Sequence, residues 1–162
     1  MGAVDFFLKI DDIKGESADS KHAGEIDVYS WSWGETQIGS SAHGGGAGTG
    51  KVSMNDFHFT MKANNASSPL FVACANGQHF KKADLTCRKA GKGQQEYLKI
   101  KLSDVIVSSY QLGGSSHSDD LPIDQISLNF SKIEFGYAKQ KPDGSLDGMT
   151  WKWYDQKKNE FG

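Results

Sequence analysis

The chain has 162 residues and a mass of 17.7 kDa, enough for one domain with a single core. Its 37% hydrophobic residues together with 19 glycines fall in the globular range, which excludes a chain that is disordered throughout. The 18 basic and 20 acidic residues nearly cancel, and Arg88 is the single arginine, so nucleic-acid binding is disfavoured. Neither a membrane-spanning apolar run nor a standard secretory signal peptide is recognisable, so we expect no membrane insertion.

Short segments of alternating polar and apolar residues predict a mainly antiparallel β protein. The first alternation runs from Val4 to Ile10, and it is followed by strand-like segments at 25–34, 52–61, 83–90, 97–102, 105–112, 125–137 and 149–154. Gly91 and Gly93 suit a hairpin connection, which would place Cys87 and Leu98 on paired strands. Both cysteines, Cys74 and Cys87, are expected to be buried thiols.

The segment 125–137 contains a shift in its alternation. Ile126, Leu128 and Phe130 share one face, whereas the next apolar set begins at Ile133 and is displaced by one residue. We therefore predict a bulge near residues 131–132, or a strand that spans two packing environments.

One segment departs from the β pattern and predicts a short α-helix from about Ser68 to Asn76. Ser68 is a candidate N-cap, Pro69 fits the first helical position, and Gly77 fits the termination signal.

The glycine-rich segment 38–50 has almost no side chain to bury, so we expect a long, flexible loop. Loops of this length inside a compact domain are uncommon unless they are functional, which favours a role in contacting a partner.

Catalytic, cofactor and metal signatures are weak. The sequence before Lys51 imitates a P-loop, but Val52 stands where a Mg²⁺-binding hydroxyl is required, and a strand-like segment follows. The five histidines lack metal-ligand spacing, and no serine lies in a nucleophile-elbow motif. We predict no catalytic, cofactor-binding or metal-binding residue, and no enzyme.

The segment 25–34 predicts one bulky and one small face. Tyr29, Trp31 and Trp33 would share the first, and Val28, Ser30 and Ser32 the second. Two interpretations stay open for the tryptophans, namely packing in a core or between subunits, and stacking on sugar rings.

Many short motifs along the chain resemble the haemolysin-coregulated protein (Hcp) family of type VI secretion systems. The opening signature comprises residues 14–17, 21–22, 25–28 and 30–34. It is followed by matching motifs at 67–70, 74–77, 88–91, 96–98, 103–105, 107–109 and 127–130. The resemblance runs nearly from end to end.

This resemblance implies a two-sheet antiparallel β-barrel with one short α-helix, a single Hcp-like domain over 1–162, and assembly into a hexameric ring. In the family, rings stack into the inner tube of the secretion system. A contractile sheath expels the tube behind a tip spike protein, and the ring lumen binds and stabilises effectors. The resemblance further implies a cytoplasmic pool during assembly, and then secretion to the extracellular space without a signal peptide.

Two sets of residues are candidates for these contacts. Ser32, and next Ser30, are candidates for the lumen and cargo-facing wall, although they could instead pack beneath a neighbouring loop. The candidates for ring stacking lie in the glycine-rich loop, with residues 11–21 as a possible receiving surface, and they are Ser40, Ser41, His43, Gly45 and Thr49.

The alternative function is a monomeric carbohydrate-binding β-sandwich. It would present tryptophans to solvent as a platform for sugars, and the candidates are Trp31, Trp33, Trp151 and Trp153.

Overall fold

A computed structural model of the protein describes residues 4–37, 52–89 and 93–162. Within these ranges the chain forms twelve strands and one helix. They are β1 (Val4–Ile10), β2 (Ile26–Asp27), β3 (Ser30–Ser32), β4 (Glu35–Thr36), β5 (Ser53–Met54), β6 (Phe57–Lys62), α1 (Ser67–Asn76), β7 (His79–Lys89), β8 (Glu96–Gly113), β9 (Ile123–Asn129), β10 (Lys132–Tyr137), β11 (Thr150–Asp155) and β12 (Glu160–Phe161). The prediction of a mainly antiparallel β fold with one short helix is confirmed.

The eighteen-residue strand β8 belongs to two sheets. Its first part pairs with β7 on one edge and β10 on the other, and its last part pairs with β9. The first sheet has the order β12-β11-β10-β8-β7-β1-β2, and the second has the order β8-β9-β6-β3. The prediction of two separate strands over 97–102 and 105–112 is wrong. Asp104, whose backbone is left-handed (φ 56°), interrupts the alternation without ending the strand.

The segment between β2 and β3 closes the barrel. The Val28 amide donates to the Phe6 carbonyl at 2.9 Å, and the Tyr29 amide donates to the Thr60 carbonyl at 2.8 Å. This segment therefore connects β1 of the first sheet to β6 of the second. The β4–β5 hairpin forms a separate two-stranded sheet.

The alternation shift predicted near residues 131–132 is confirmed as a change of packing environment. The predicted strand 125–137 is divided into β9 and β10, with Phe130 and Ser131 between them. Beyond β8, the neighbour of β9 is β6, whereas the neighbour of β10 is β11. One run of sequence therefore serves two sheets.

The two sheets enclose one apolar core. Its largest fully buried side chains come from β1, β2, β6, β7, β8, β9 and α1, and they include Leu8, Ile26, Phe57, Phe59, Met61, Leu70, Leu85, Ile100, Leu102, Ile126 and Leu128. Cys87 pairs with Leu98 as expected and is buried, but Cys74 is partly exposed, so the prediction of two buried thiols is half right.

The helix begins one residue before the predicted start. Ala66 occupies the N-cap without a side-chain hydrogen bond, so the prediction that Ser68 caps the helix is wrong. Gly77, with φ of 69°, ends the helix as expected. Ser67 instead anchors the helix to the second sheet, because its hydroxyl donates to Asp124 Oδ2 at 2.6 Å.

Gly15 provides a test of the packing between the β1–β2 connection and β2. A Cβ atom at this position would lie 2.6 Å from the Glu25 carbonyl carbon and 2.8 Å from Ile26 Cα, which are backbone atoms that cannot rotate away. We expect Gly15→Ala to lower the free energy of unfolding by about 1–3 kcal/mol. Gly113→Ala is the matched control, since its Cβ meets nothing within 4 Å. Equal melting temperatures for the two variants would contradict this packing.

Candidate functional site

The outer face of the second sheet carries two rows of uncharged polar side chains. The strand registers align Ser30, Thr60, Gln125 and Gln111 in one row, and Ser32, His58, Ser127 and Ser109 in the next. The intervening row, from β3 to β8, is Trp31, Phe59, Ile126 and Tyr110, and it packs in or against the core. We refer to the eight residues of the two outer rows as the polar face.

Hydrogen bonds between strands order the polar face. Ser30 Oγ lies 2.5 Å from Thr60 Oγ1, and His58 Nδ1 lies 2.6 Å from Ser127 Oγ. The two rows line a shallow concavity of about 500 Å³. Its side chains are hydroxyls, amides and one imidazole, so the face offers hydrogen-bond donors and acceptors and holds no carboxylate, ammonium or guanidinium group.

In the part of the chain that the structure describes, charged groups flank the two ends of the polar face. At one end, Asp56 accepts hydrogen bonds from Ser108 at 2.6 Å and Asn129 at 2.9 Å. At the other end, Lys62 Nζ pairs with Asp120 Oδ1 at 3.1 Å.

The first sheet has a different electrostatic character. One row across β1, β7, β8 and β10 alternates in charge, with Lys9, Asp84, Lys101 and Glu134 in register. Burial raises the pKa of Asp84, although the neighbouring lysines act in the opposite direction. The uncharged face is therefore a property of the second sheet and not of the whole surface.

The structure places both predicted serines on the polar face. Ser30 and Ser32 are exposed on β3, and six further members of the face were not identified from the sequence. The predicted division of 25–34 into two faces is only partly right, because this segment is not one continuous strand but is interrupted between β2 and β3. Val28 is buried and Tyr29 is 69% exposed.

The tryptophans of this segment pack inward. Trp31 lies between Phe6 and Phe57, with ring centroids 6.2 Å and 6.0 Å away, and Trp33 packs partly buried against the core. Trp151 is 37% exposed, and the Lys101 ammonium lies 4.9 Å from its ring centroid. Core packing, the first of the two interpretations, describes Trp31.

A second surface feature is an apolar groove of about 1070 Å³. It lies beside the extension formed by β10, β11 and β12 at one end of the first sheet. It lies between this extension and the β4–β5 hairpin. Its aromatic lining comes from Trp33, Phe135, Trp153, Tyr154 and Phe161, and Phe161 is 79% exposed.

The candidate stacking residues Ser40, Ser41, His43, Gly45 and Thr49 lie outside the described residues. Across residues 4–37, 52–89 and 93–162, no group of three or more histidine, cysteine or acidic side chains converges as a metal site would require. No helix in these ranges is both long enough and apolar enough to traverse a bilayer.

Three hydrogen-bonded side chains lie beneath the polar face, on the core side of the second sheet. Asp124, fully buried on β9, accepts from the Tyr110 hydroxyl of β8 at 2.8 Å and from the Ser67 hydroxyl of α1 at 2.6 Å. Burial, with the hydrogen bond to Asp124, raises the pKa of Tyr110 to about 12.

This raised pKa predicts a late alkaline titration. Because the folded state favours the neutral phenol, its contribution to stability is complete below the ordinary tyrosine pKa and is lost as the pH rises towards 12. We expect one of the five tyrosines to ionise near pH 12 in an ultraviolet absorbance titration. Tyr110→Phe should remove that late phase, and its persistence in the variant would contradict the assignment.

Comparisons with known proteins agree with this architecture. The family model for "Type VI secretion system effector, Hcp" matches residues 7–137. Protein hcp1 of Pseudomonas aeruginosa is 49% identical over 147 residues, which cover 90% of each chain.

Solved structures extend the likeness to three dimensions. The crystal structure of Hcp1 from Salmonella typhimurium superposes with a TM-score of 0.82 at 35% identity, covering 99% of this chain and 100% of that one. The structure of a type six secretion system protein gives a TM-score of 0.92 at 27% identity, with the same coverage. The matches in sequence and in structure both span nearly the whole barrel, and the chain belongs to the Hcp family of type VI secretion proteins.

Proposed function

We propose that this protein is the structural subunit of a type VI secretion inner tube. Six copies form a ring, rings stack into a tube, and a contractile sheath expels the tube behind its tip spike protein. Effectors travel bound inside the ring. Membership of the Hcp family supports this role.

The observation that carries the proposal is the uncharged, ordered polar face of the second sheet. A channel wall that handles different cargo proteins has to stay hydrated without trapping charged side chains. Two rows of hydroxyl and amide groups meet both requirements, since they hydrogen-bond to water and to protein alike. In this proposal the polar face lines the lumen, with Ser32 and Ser30 contacting cargo.

Self-association is supported by the apolar groove. Exposed aromatic surface of this extent on a small protein is characteristic of interaction sites. A closed ring requires every subunit to present the same pair of different contact surfaces to its two neighbours. The groove beside β10–β12 is our candidate for one of these two surfaces.

Ring stacking is assigned to the glycine-rich segment 38–50. Its glycines and small side chains suit a loop that becomes ordered against the adjacent ring, and Ser40, Ser41, His43, Gly45 and Thr49 are the candidate contacts. Residues 11–21 remain the candidate receiving surface.

The proposed role requires no catalysis. The polar face holds a single titratable side chain, His58, whose Nδ1 is hydrogen-bonded to Ser127 and not to a carboxylate. Because the resemblance implies export through the secretion machine itself, we propose a cytoplasmic pool and a secreted pool.

The carbohydrate-binding alternative gains no support from Trp31 and Trp33. A sugar platform needs exposed, adjacent indole faces, whereas Trp31 packs between two phenylalanines and Trp33 packs against the core.

The cargo-facing assignment is tested with Ser32→Gln. The longer side chain should fill part of the concavity, so we expect ring formation to be unchanged and the half-life of a co-expressed cognate effector to fall several-fold. Ser116→Gln in the β8–β9 connection is the matched control, because Ser116 is exposed and lies outside the polar face, the apolar groove and the segment 38–50. Unchanged effector half-life in Ser32→Gln, with intact rings, would remove Ser32 from the proposed lumen wall.

A further inference from the structure

The histidine His22 lies in an unusual position in the connection between β1 and β2. It is only 7% exposed, and both ring nitrogens meet carboxylates. Nδ1 lies 2.9 Å from Glu25 Oε2, and Nε2 lies 2.7 Å from Glu96 Oε1 at the start of β8. The imidazole stacks on the Phe7 ring of β1, with centroids 4.4 Å apart and planes 8° from parallel.

Two short contacts to carboxylates require two donors. A neutral imidazole carries one N–H, whereas an ionised carboxylate only accepts. Burial raises the pKa of Glu96, but the hydrogen bonds from His22 and Lys99 outweigh it and leave the pKa below its usual value. Glu96 is therefore ionised at neutral pH, and the geometry is satisfied when His22 is an imidazolium that donates from both nitrogens.

The cluster holds a folded connection. The Gly15 amide donates to the Gly24 carbonyl at 2.8 Å, the Ser17 amide donates to the Glu25 carbonyl at 2.9 Å, and the Gly24 amide donates to the Ser17 carbonyl at 2.9 Å. Through its contact with Glu96, His22 links these backbone hydrogen bonds of the connection to the first residue of β8.

A second, permanent clasp joins the same connection to β7. Arg88, 3% exposed, donates to Asp19 from both terminal nitrogens at 3.0 and 2.7 Å, and to Asp5 of β1 at 3.0 Å. Its guanidinium carbon lies 4.8 Å from the centroid of the Phe7 ring on which His22 stacks. The hydrogen bond from Arg88 holds the pKa of Asp19 well below its usual range.

Among the residues that the structure describes, each element next to His22 carries charged groups. They are Asp19 and Glu25 in the connection, Asp5 on β1, Asp27 on β2, Arg88 on β7, and Glu96 with Lys99 on β8. Acidic groups outnumber basic ones in this set.

We propose that His22 is a pH-sensitive latch between the β1–β2 connection and β8. The latch is closed when the imidazole carries two protons and bridges Glu25 and Glu96. When the pH rises and the Nε2 proton leaves to solvent, Glu96 loses this donor and the connection loosens from β8. Arg88 does not titrate in this range and keeps the connection attached to β7.

Hydrogen exchange of the folded protein tests the latch. The amides of Gly15, Ser17 and Gly24 are followed from about pH 5.5 to about pH 9, the interval around the ordinary titration of histidine, with correction for intrinsic exchange rates. The closed form binds one more proton than the open form, so protection should fall as the pH rises. We expect a loss of about tenfold, as for one charge-assisted hydrogen bond, while the amides of β7 and β8 that lie in the core stay constant.

Variants separate the latch from general alkaline loosening. His22→Gln should show weaker protection without the pH-dependent step. His79→Gln is the matched control, since His79 also contacts a carboxylate, Asp104 at 3.2 Å, but is exposed, and it should retain the step. Glu96→Gln is the second variant should His22→Gln fold poorly, and it should also lose the step because an amide needs no second proton on the imidazole. A flat wild-type profile, or a step that survives in His22→Gln or Glu96→Gln, would overturn the proposal.

Discussion

The fold depends on one constraint, namely that the single long strand β8 has to serve two sheets. A flat strand of eighteen residues could not do this, because β10 pairs with β8 only as far as Ser103, and β9 pairs with it only from Ile106 onward. Two irregularities change its course, the left-handed backbone of Asp104 and the bulge at Ser108, where the pairing register with β9 shifts between Val107 and Ser109. The Ser108 hydroxyl donates to Asp56, so the bulge is tied to the residue that precedes β6.

The bulge also decides what the second sheet presents to the outside. Beyond it, Tyr110 turns towards α1 and Asp124, whereas Ser109 and Gln111 join the polar face. The same barrel therefore has an outer row of alternating charge on the first sheet and two uncharged rows on the second. Burial of Asp124 beneath the polar face fixes the relative position of β8, β9 and α1 through two short hydrogen bonds. The functional proposal follows from this difference between the two sheets.

Local patterns in the sequence were sufficient for the fold class, the helix, and the change of environment between β9 and β10, because each leaves a signature within about ten residues. They failed where the cause is tertiary. Asp104 looks like a strand end, and the bulge at Ser108 leaves no mark on the predicted strand 105–112. The break between β2 and β3 follows from barrel closure at Val28 and Tyr29, and the Ser67 contact depends on Asp124, which is distant in sequence. Of the polar face, the sequence identified only Ser30 and Ser32. The strand registers that align its other six members cannot be derived from the alternation of polar and apolar residues. The family assignment came from the order and spacing of short sequence motifs, which carry family information that hydrophobic periodicity does not.

The central claim is that six copies of this barrel form a ring whose channel is lined by the polar face. The most direct measurement is electron microscopy of the purified protein, at a resolution that identifies β3 and β6, beside a light-scattering mass. The account predicts closed rings of about 106 kDa for six 17.7 kDa subunits, with Ser30 and Ser32 facing the channel. A protein that stays monomeric at high concentration, or rings with the polar face on the outside, would contradict it.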